Sequence, residues 1–199
     1  SRIIIFDSIY DKFKNKLLKA VKELSIGIDD SDDLGPVINE KQLINMITAL
    51  DMAKSKGSII LSGGERLYTE KYKNGFYIAP TLLENVNPED EISQNELFGP
   101  IAILYSVDNF KEAIELANNS PYGLTASIHT KNYHRAMEFS YKIRCGATVV
   151  NAGTYGSEPH MPFGGVRQSG NGSREPGTEA LDVYSELKDI YMVVDPEQV

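Results

Sequence analysis

Residues 160–175 read HMPFGGVRQSGNGSRE. One aromatic, Phe163, stands between a proline and a glycine pair; Gly170 and Gly172 follow, then Arg174 and Glu175. Glycine lets the backbone take positive φ and lie close against other chain. So many glycines rule out a helix interior or a central strand. The stretch is therefore a loop held in one shape by its surroundings, and such loops often carry binding and catalytic side chains.

The chain before it reads as that scaffold. Ile3-Ile4-Ile5-Phe6 is a buried-strand run. Ile9, Phe13, Leu17, Ala20, Val21 and Leu24 recur at helical spacing, with Ser8 and Asp11 as a capping box and Gly27 as the stop. After the acidic residues 29–33, Asn39 with Gln42 starts a second helix, whose apolar face is Leu43, Ile44, Ile47, Leu50 and Ala53, up to Gly57. A strand is predicted at 58–61, and an extended segment at 76–86, where Pro80 marks an edge or irregularity. Further strands follow at 101–107, 125–129 and 146–150. Between these lie a helix capped by Asp108 with Phe110, Ala113, Ile114 and Ala117 on one face, and a helix capped by Thr130 with Tyr133, Ala136, Met137 and Ser140. Alternating strands and helices predict an α/β fold, a mainly parallel sheet with helices on both faces. The chain divides into residues 1–177 and a tail, 178–199. The tail's apolar run, Ile190-Tyr191-Met192-Val193-Val194, is expected to add as a strand to a sheet, in this chain or another.

Composition narrows the function. The net charge of −8 argues against nucleic acid or anionic membrane as main partners. No apolar run reaches the ~20 residues that span a bilayer. One cysteine excludes an internal disulfide framework and favours a cytoplasmic setting. His129, His134 and His160 lack ligand spacing with one another or with Cys145, so no metal site is expected. Gly63-Gly64 lacks the lysine and hydroxyl of a phosphate-binding loop. A chain that opens on Ser1-Arg2 directly before a core strand is expected to be a fragment.

The order PFGG, a basic residue, then SG-x-G-x-R-E resembles the late active-site loop of the aldehyde dehydrogenase superfamily. Four more blocks resemble the same family, in the same order: 33–36 (DLGP), 95–100 (NELFGP), 120–124 (SPYGL) and 146–151 (GATVVN). The match is to the family's second half, downstream of the nucleophilic cysteine: most of the catalytic domain and the tail strand used in oligomers. Within the family, residues 151–175 are most similar to enzymes oxidising small acidic or sugar-derived semialdehydes.

The resemblance implies roles. The glutamate of E-x-F-G-P, here Glu96, would bind the nicotinamide ribose hydroxyls of NAD or NADP, a task suited to a carboxylate. Phe98 would pack beside the nicotinamide. Without the resemblance, Glu96 reads as a solvated acid and Phe98 as core. Phe163 would line the aldehyde pocket and exclude water. Asn151 would open the loop shaping the substrate entrance, with Tyr155 and His160 in its variable part. Arg174 is expected to hold the loop by backbone hydrogen bonds or an ion pair.

What the family's chemistry also needs is a cysteine thiolate, a glutamate base, an oxyanion-binding asparagine and a cofactor domain, and the resemblance puts all of these before Ser1. Cys145 is expected at the end of a helix, where the family has no catalytic residue, and so as a small packed residue. Two functions remain. One is part of an NAD(P)-dependent aldehyde dehydrogenase, a homo-oligomer acting on a small aldehyde, with this chain alone inactive. The other is a non-catalytic binding or assembly module that keeps the fold.

Overall fold

The computed structural model describes residues 1–193 and 197. The chain forms two compact units, Ser1–Ser120 and Pro121–Val199.

The first unit is built on a four-stranded sheet of β1 (Arg2–Phe6), β2 (Ile59–Ser62), β3 (Thr81–Glu84) and β4 (Ile101–Val107), in the order β1-β4-β3-β2. β1 and β3 both run parallel to β4, and β2 is antiparallel to β3. Side chains alternate across a strand, and the sequence uses both sides. Leu83, Ile101, Ile103 and Tyr105 pack beneath helix α2 (Glu40–Ser55), against Leu43, Met46, Leu50 and Ala53. Ile5, Leu82 and Leu104 face the other way, towards Tyr10, Leu17, Leu18 and Val21 of helix α1 (Tyr10–Lys22). The mainly parallel sheet with helices on both faces is therefore present. Each fully buried aliphatic, such as Leu83 or Leu43, contributes about 1.5–3 kcal/mol.

Local details differ from expectation for physical reasons. β1 runs directly into a 3-10 turn at Asp7–Ile9, so Ser8 lies inside that turn and makes no cap. α1 ends at Lys22, where Glu23 N–H reaches Ala20 O and Val21 O, well before Gly27. Asn39 does cap α2, its side chain accepting from Gln42 N–H, but the buried position is Met46, while Ile44 is exposed. Pro80 stands just before β3, a central strand, so it marks an irregularity and not an edge. Helix α3 (Glu91–Gln94) precedes β4, and α4 (Phe110–Asn118) follows it. Asn109 caps α4, not Asp108, because its side chain reaches Glu112 N–H; Asp108 instead donates its N–H to the Glu112 carboxylate. The guanidinium of Arg2 closes the other end, donating to the carbonyls of Leu116, Ala117 and Asn119.

The second unit holds a β-α-β element: β5 (Thr125–Ile128), α5 (Tyr133–Lys142) and β6 (Ala147–Val150), with β5 and β6 parallel. Asn132 caps α5, accepting from Arg135 N–H, while Thr130 Oγ1 only receives Asn132 N–H. α5 buries Phe139, while Tyr133 and Ser140 are exposed. A short helix α6 (Ala180–Val183) begins the tail. From 184 to 193 no helix or strand is formed, and the expected strand's last residue, Val194, lies outside the described residues.

Candidate functional site

Glu96 and Phe98 sit on the loop that joins α3 to β4. Leu97 between them turns inward onto the core, and its carbonyl accepts a hydrogen bond from the Gln42 side-chain amide of α2. Gly99 lies so close to Met46 that a Cβ there would come within 2.2 Å of its methyl carbon. Pro100 O accepts from Thr81 N–H at 2.8 Å, tying the loop to β3. Anchored on three sides, the loop turns its alternate residues outward. Glu96 is exposed, and Phe98 is 80% exposed. Phe98 also has φ +45. A left-handed backbone costs a side-chain-bearing residue about 1–2 kcal/mol. A phenylalanine that is both strained and solvent-facing is not core packing, so the structural reading of Phe98 falls. Glu96 and Phe98, the two residues to which the resemblance assigns the ribose and the nicotinamide, are thus both open to solvent.

A cavity of about 380 Å³ in the same unit lies behind this loop, between Asn45, Thr48 and Met52 of α2 and Asp90, Asn95 and Leu97. Neither Glu96 nor Phe98 lines it.

In the second unit the glycine-rich loop is stitched to the turn before β5. Gly123 O accepts from both Gly146 N–H and Val166 N–H, Gly123 N–H donates to Ser169 Oγ, and Gln168 N–H donates to Pro121 O. A Cβ on Gly146 would fall 1.5 Å from the Gly164 carbonyl oxygen. Only glycine permits that approach. Phe163 is half-buried, and its carbonyl accepts from Glu175 N–H at 2.8 Å. Arg174 donates to Ser173 O at 2.9 Å and lies along Gly164, the backbone-holding role expected of it. Three segments distant in sequence (121–124, the start of β6 and 163–175) are thus brought together.

Asn151 stands at the opposite end of β6 from Gly146. Its φ is +59, and its side chain both accepts from Thr130 N–H and donates to Thr130 O. It shapes the turn through the backbone. Tyr155 is 88% exposed, with its ring over Gly153, and His160 is exposed. Cys145 lies two residues beyond Ile143, which ends α5 in extended conformation, and not at the helix end itself. Its half-buried thiol donates to Ala147 O at 3.1 Å, with Thr148 Oγ1 at 3.5 Å. Among the described residues no group of three or more His, Cys, Asp or Glu side chains is arranged to hold a metal ion. No helix among them is long and apolar enough to cross a membrane.

What sequence reasoning missed is the support. Gln42, Met46 and Thr81 fix the Glu96–Phe98 loop, yet each reads as an ordinary helix or strand residue. The positive φ of Phe98 has no signal in a residue type that avoids it.

Residues 1–190 match the family model described as the aldehyde dehydrogenase family. Alpha-ketoglutaric semialdehyde dehydrogenase of Bacillus subtilis (strain 168) is 39% identical over 96% of this chain and 40% of its own length. Benzaldehyde dehydrogenase [NAD(+)] of Pseudomonas putida is 35% identical over 98% of this chain and 39% of its own. The crystal structure of betaine aldehyde dehydrogenase from Staphylococcus aureus in complex with NAD+ superposes with a TM-score of 0.88 at 34% identity, covering 92% of this chain and 37% of that one. The chain spans about 40% of the length of the curated relatives it matches.

Proposed function

Because the chain belongs to the aldehyde dehydrogenase family, we propose that it supplies the nicotinamide-end and substrate-loop parts of an NAD(P)-dependent enzyme that oxidises an aldehyde to a carboxylic acid. It corresponds, in this reading, to the family's C-terminal half, with 1–177 as catalytic-domain portion and 178–199 as an oligomerisation tail, in a cytoplasmic setting. The observation that carries it is Phe98: exposed, at positive φ, next to exposed Glu96, on a loop braced by Gln42, Met46 and Thr81. Strain kept at a solvent-facing aromatic is characteristic of a residue held ready for a ligand.

When bound, NAD(P)+ takes up the hydride lost by the aldehyde carbon. Glu96 accepts hydrogen bonds from the two vicinal ribose hydroxyls and so fixes the sugar. Phe98 offers an apolar face to the nicotinamide. Phe163 walls the aldehyde side and excludes water there. Asn151 sets the entrance turn, and the exposure of Tyr155 and His160 leaves both available to substrate. Relatives named for alpha-ketoglutarate semialdehyde support a small acidic semialdehyde as substrate.

The attacking thiolate, the base and the oxyanion donor lie outside these 199 residues. Cys145, half-buried and engaged with the Ala147 carbonyl, is not the nucleophile. The 199-residue chain alone therefore turns over no aldehyde. In the enzyme that contains this chain together with its nucleophile, Glu96→Gln should slow single-turnover hydride transfer and leave the unfolding midpoint unchanged. Unaltered hydride transfer would make Glu96 a surface acid.

A further inference from the structure

The sequence holds two Asn-Gly pairs, Asn74-Gly75 and Asn171-Gly172. Glycine offers no side chain to obstruct attack by its own amide nitrogen on the preceding asparagine's Cγ, so both pairs are chemically capable of cyclising. The fold treats them differently. Gly75 N–H donates to Tyr72 O at 3.2 Å, and the Tyr77 ring covers Gly75 so closely that a Cβ would meet it at 2.4 Å. That amide is engaged and its backbone pinned. Asn171 and Gly172 are both exposed, and nothing lies within 4 Å of the Cβ position of Gly172, whose φ is +99. Among the described residues Gly172 N–H has no hydrogen-bond acceptor. The Asn171 side-chain oxygen, meanwhile, accepts from Ser173 N–H at 3.1 Å and from Ser173 Oγ at 2.7 Å. Two donors on that oxygen withdraw electron density from Cγ and stabilise the oxyanion that forms when it is attacked.

We propose that Asn171 is a site of spontaneous deamidation, in which the fold leaves the Gly172 amide free to attack while Ser173 polarises the Asn171 carboxamide. The Gly172 nitrogen loses its proton to solvent base and bonds to Asn171 Cγ. The bond from Cγ to the side-chain nitrogen then breaks, and ammonia leaves, closing a five-membered imide. Water opens the imide at either carbonyl, giving aspartate or isoaspartate. The balance is one water in, one ammonia out, no change of oxidation state, and one neutral side chain made anionic. The isoaspartyl product inserts an extra backbone methylene just before Ser173, Arg174 and Glu175, whose bonds close the loop onto Phe163 and Gly164. That last consequence for substrate binding rests on the proposed function; the chemistry at Asn171 does not.

The test is peptide mapping by mass spectrometry of the purified 199-residue chain, aged in mildly alkaline buffer with and without urea. Releasing a hydrogen-bonded amide and displacing a ring are steps that only Asn74 requires. Native Asn171 should therefore deamidate about tenfold faster than Asn74, and the ratio should collapse towards one in urea. Ser173→Ala, which keeps the backbone donor, should slow Asn171 severalfold. Equal or faster reaction at Asn74 in native protein, a ratio unaffected by urea, or no reaction at either site would overturn the proposal. An unchanged Asn171 rate in Ser173→Ala would overturn the part assigned to the hydroxyl.

Discussion

Asn151 and Thr130 are joined twice: Thr130 N–H donates to the Asn151 side-chain oxygen at 2.8 Å, and the Asn151 amide donates back to Thr130 O at 3.0 Å. This pair couples the end of β6 to the turn entering α5, and Asn151 takes φ +59 to make it. Asparagine is among the few residues that tolerate that backbone. Asn151→Ala removes both bonds and keeps the strain, so it should destabilise by about 1–3 kcal/mol in urea unfolding. Asn151→Gly loses the bonds but relieves the backbone, and should cost less. Equal losses in the two variants would show that the positive φ contributes nothing.

Phe98 separates function from stability. Its ring is 80% exposed, so removing it forfeits little packing, whereas truncating buried Phe139 should cost about 3–5 kcal/mol. Phe98→Gly also releases the left-handed strain and should leave the chain as stable as the parent or more so. In an enzyme that joins this chain to a nucleophile, the role proposed for Phe98 predicts that the same variant slows hydride transfer. A large loss of stability would place Phe98 in the core after all.

Glu84 gives a pH signature. Burial pushes its carboxyl up, but the hydrogen bonds from Lys14 and Tyr10 and the charge of Lys14 outweigh it and hold Glu84 below its ordinary value. Lys14 is held above its ordinary value, chiefly by its hydrogen bond to Glu84. A depressed carboxylate stabilises the fold above its unfolded pKa, about 4.3, and that contribution disappears as pH falls through the lower folded value. A raised lysine stabilises it below its unfolded pKa, about 10.4, and that is lost as pH rises through the folded value. Urea midpoints of the parent minus those of Glu84→Gln should therefore be largest between these limits and shrink on both sides. A difference flat from acid to alkali would remove the ion pair from the account.

The architecture was legible in the sequence because apolar periodicity reports burial directly: Ile101–Val107 and the packed faces of α2 and α4 follow it. Helix starts were less so. Where several capping residues stand together, as at 108–109 and 130–132, the cap is the one whose side chain reaches the amide three residues on, which composition does not reveal. Met46 displaced Ile44 because the sheet beneath α2 chose the face. At the candidate site, the motif proposed Glu96 and Phe98, but the bracing of their loop by Gln42 and Met46 depends on contacts 53 to 55 residues apart in the chain, which no local pattern encodes.

The tail leaves Leu187, Ile190, Met192 and Val193 largely exposed. So much apolar surface in one short segment is expected to be covered by strand addition to a partner subunit. Deleting residues 178–199 should lower the association state in sedimentation velocity, or cause aggregation. A deletion variant that sediments as the parent chain does would refute the assignment.

The most direct test of the central claim is an assay of the purified 199-residue chain with NAD+ or NADP+ and a small acidic semialdehyde, following the absorbance of reduced nicotinamide. The account predicts no turnover above the buffer rate, because in the proposed reading Glu96, Phe98 and Phe163 position a cofactor end and a substrate while the attacking group lies outside these 199 residues. Turnover that disappears in Cys145→Ser would contradict it and make Cys145 the nucleophile.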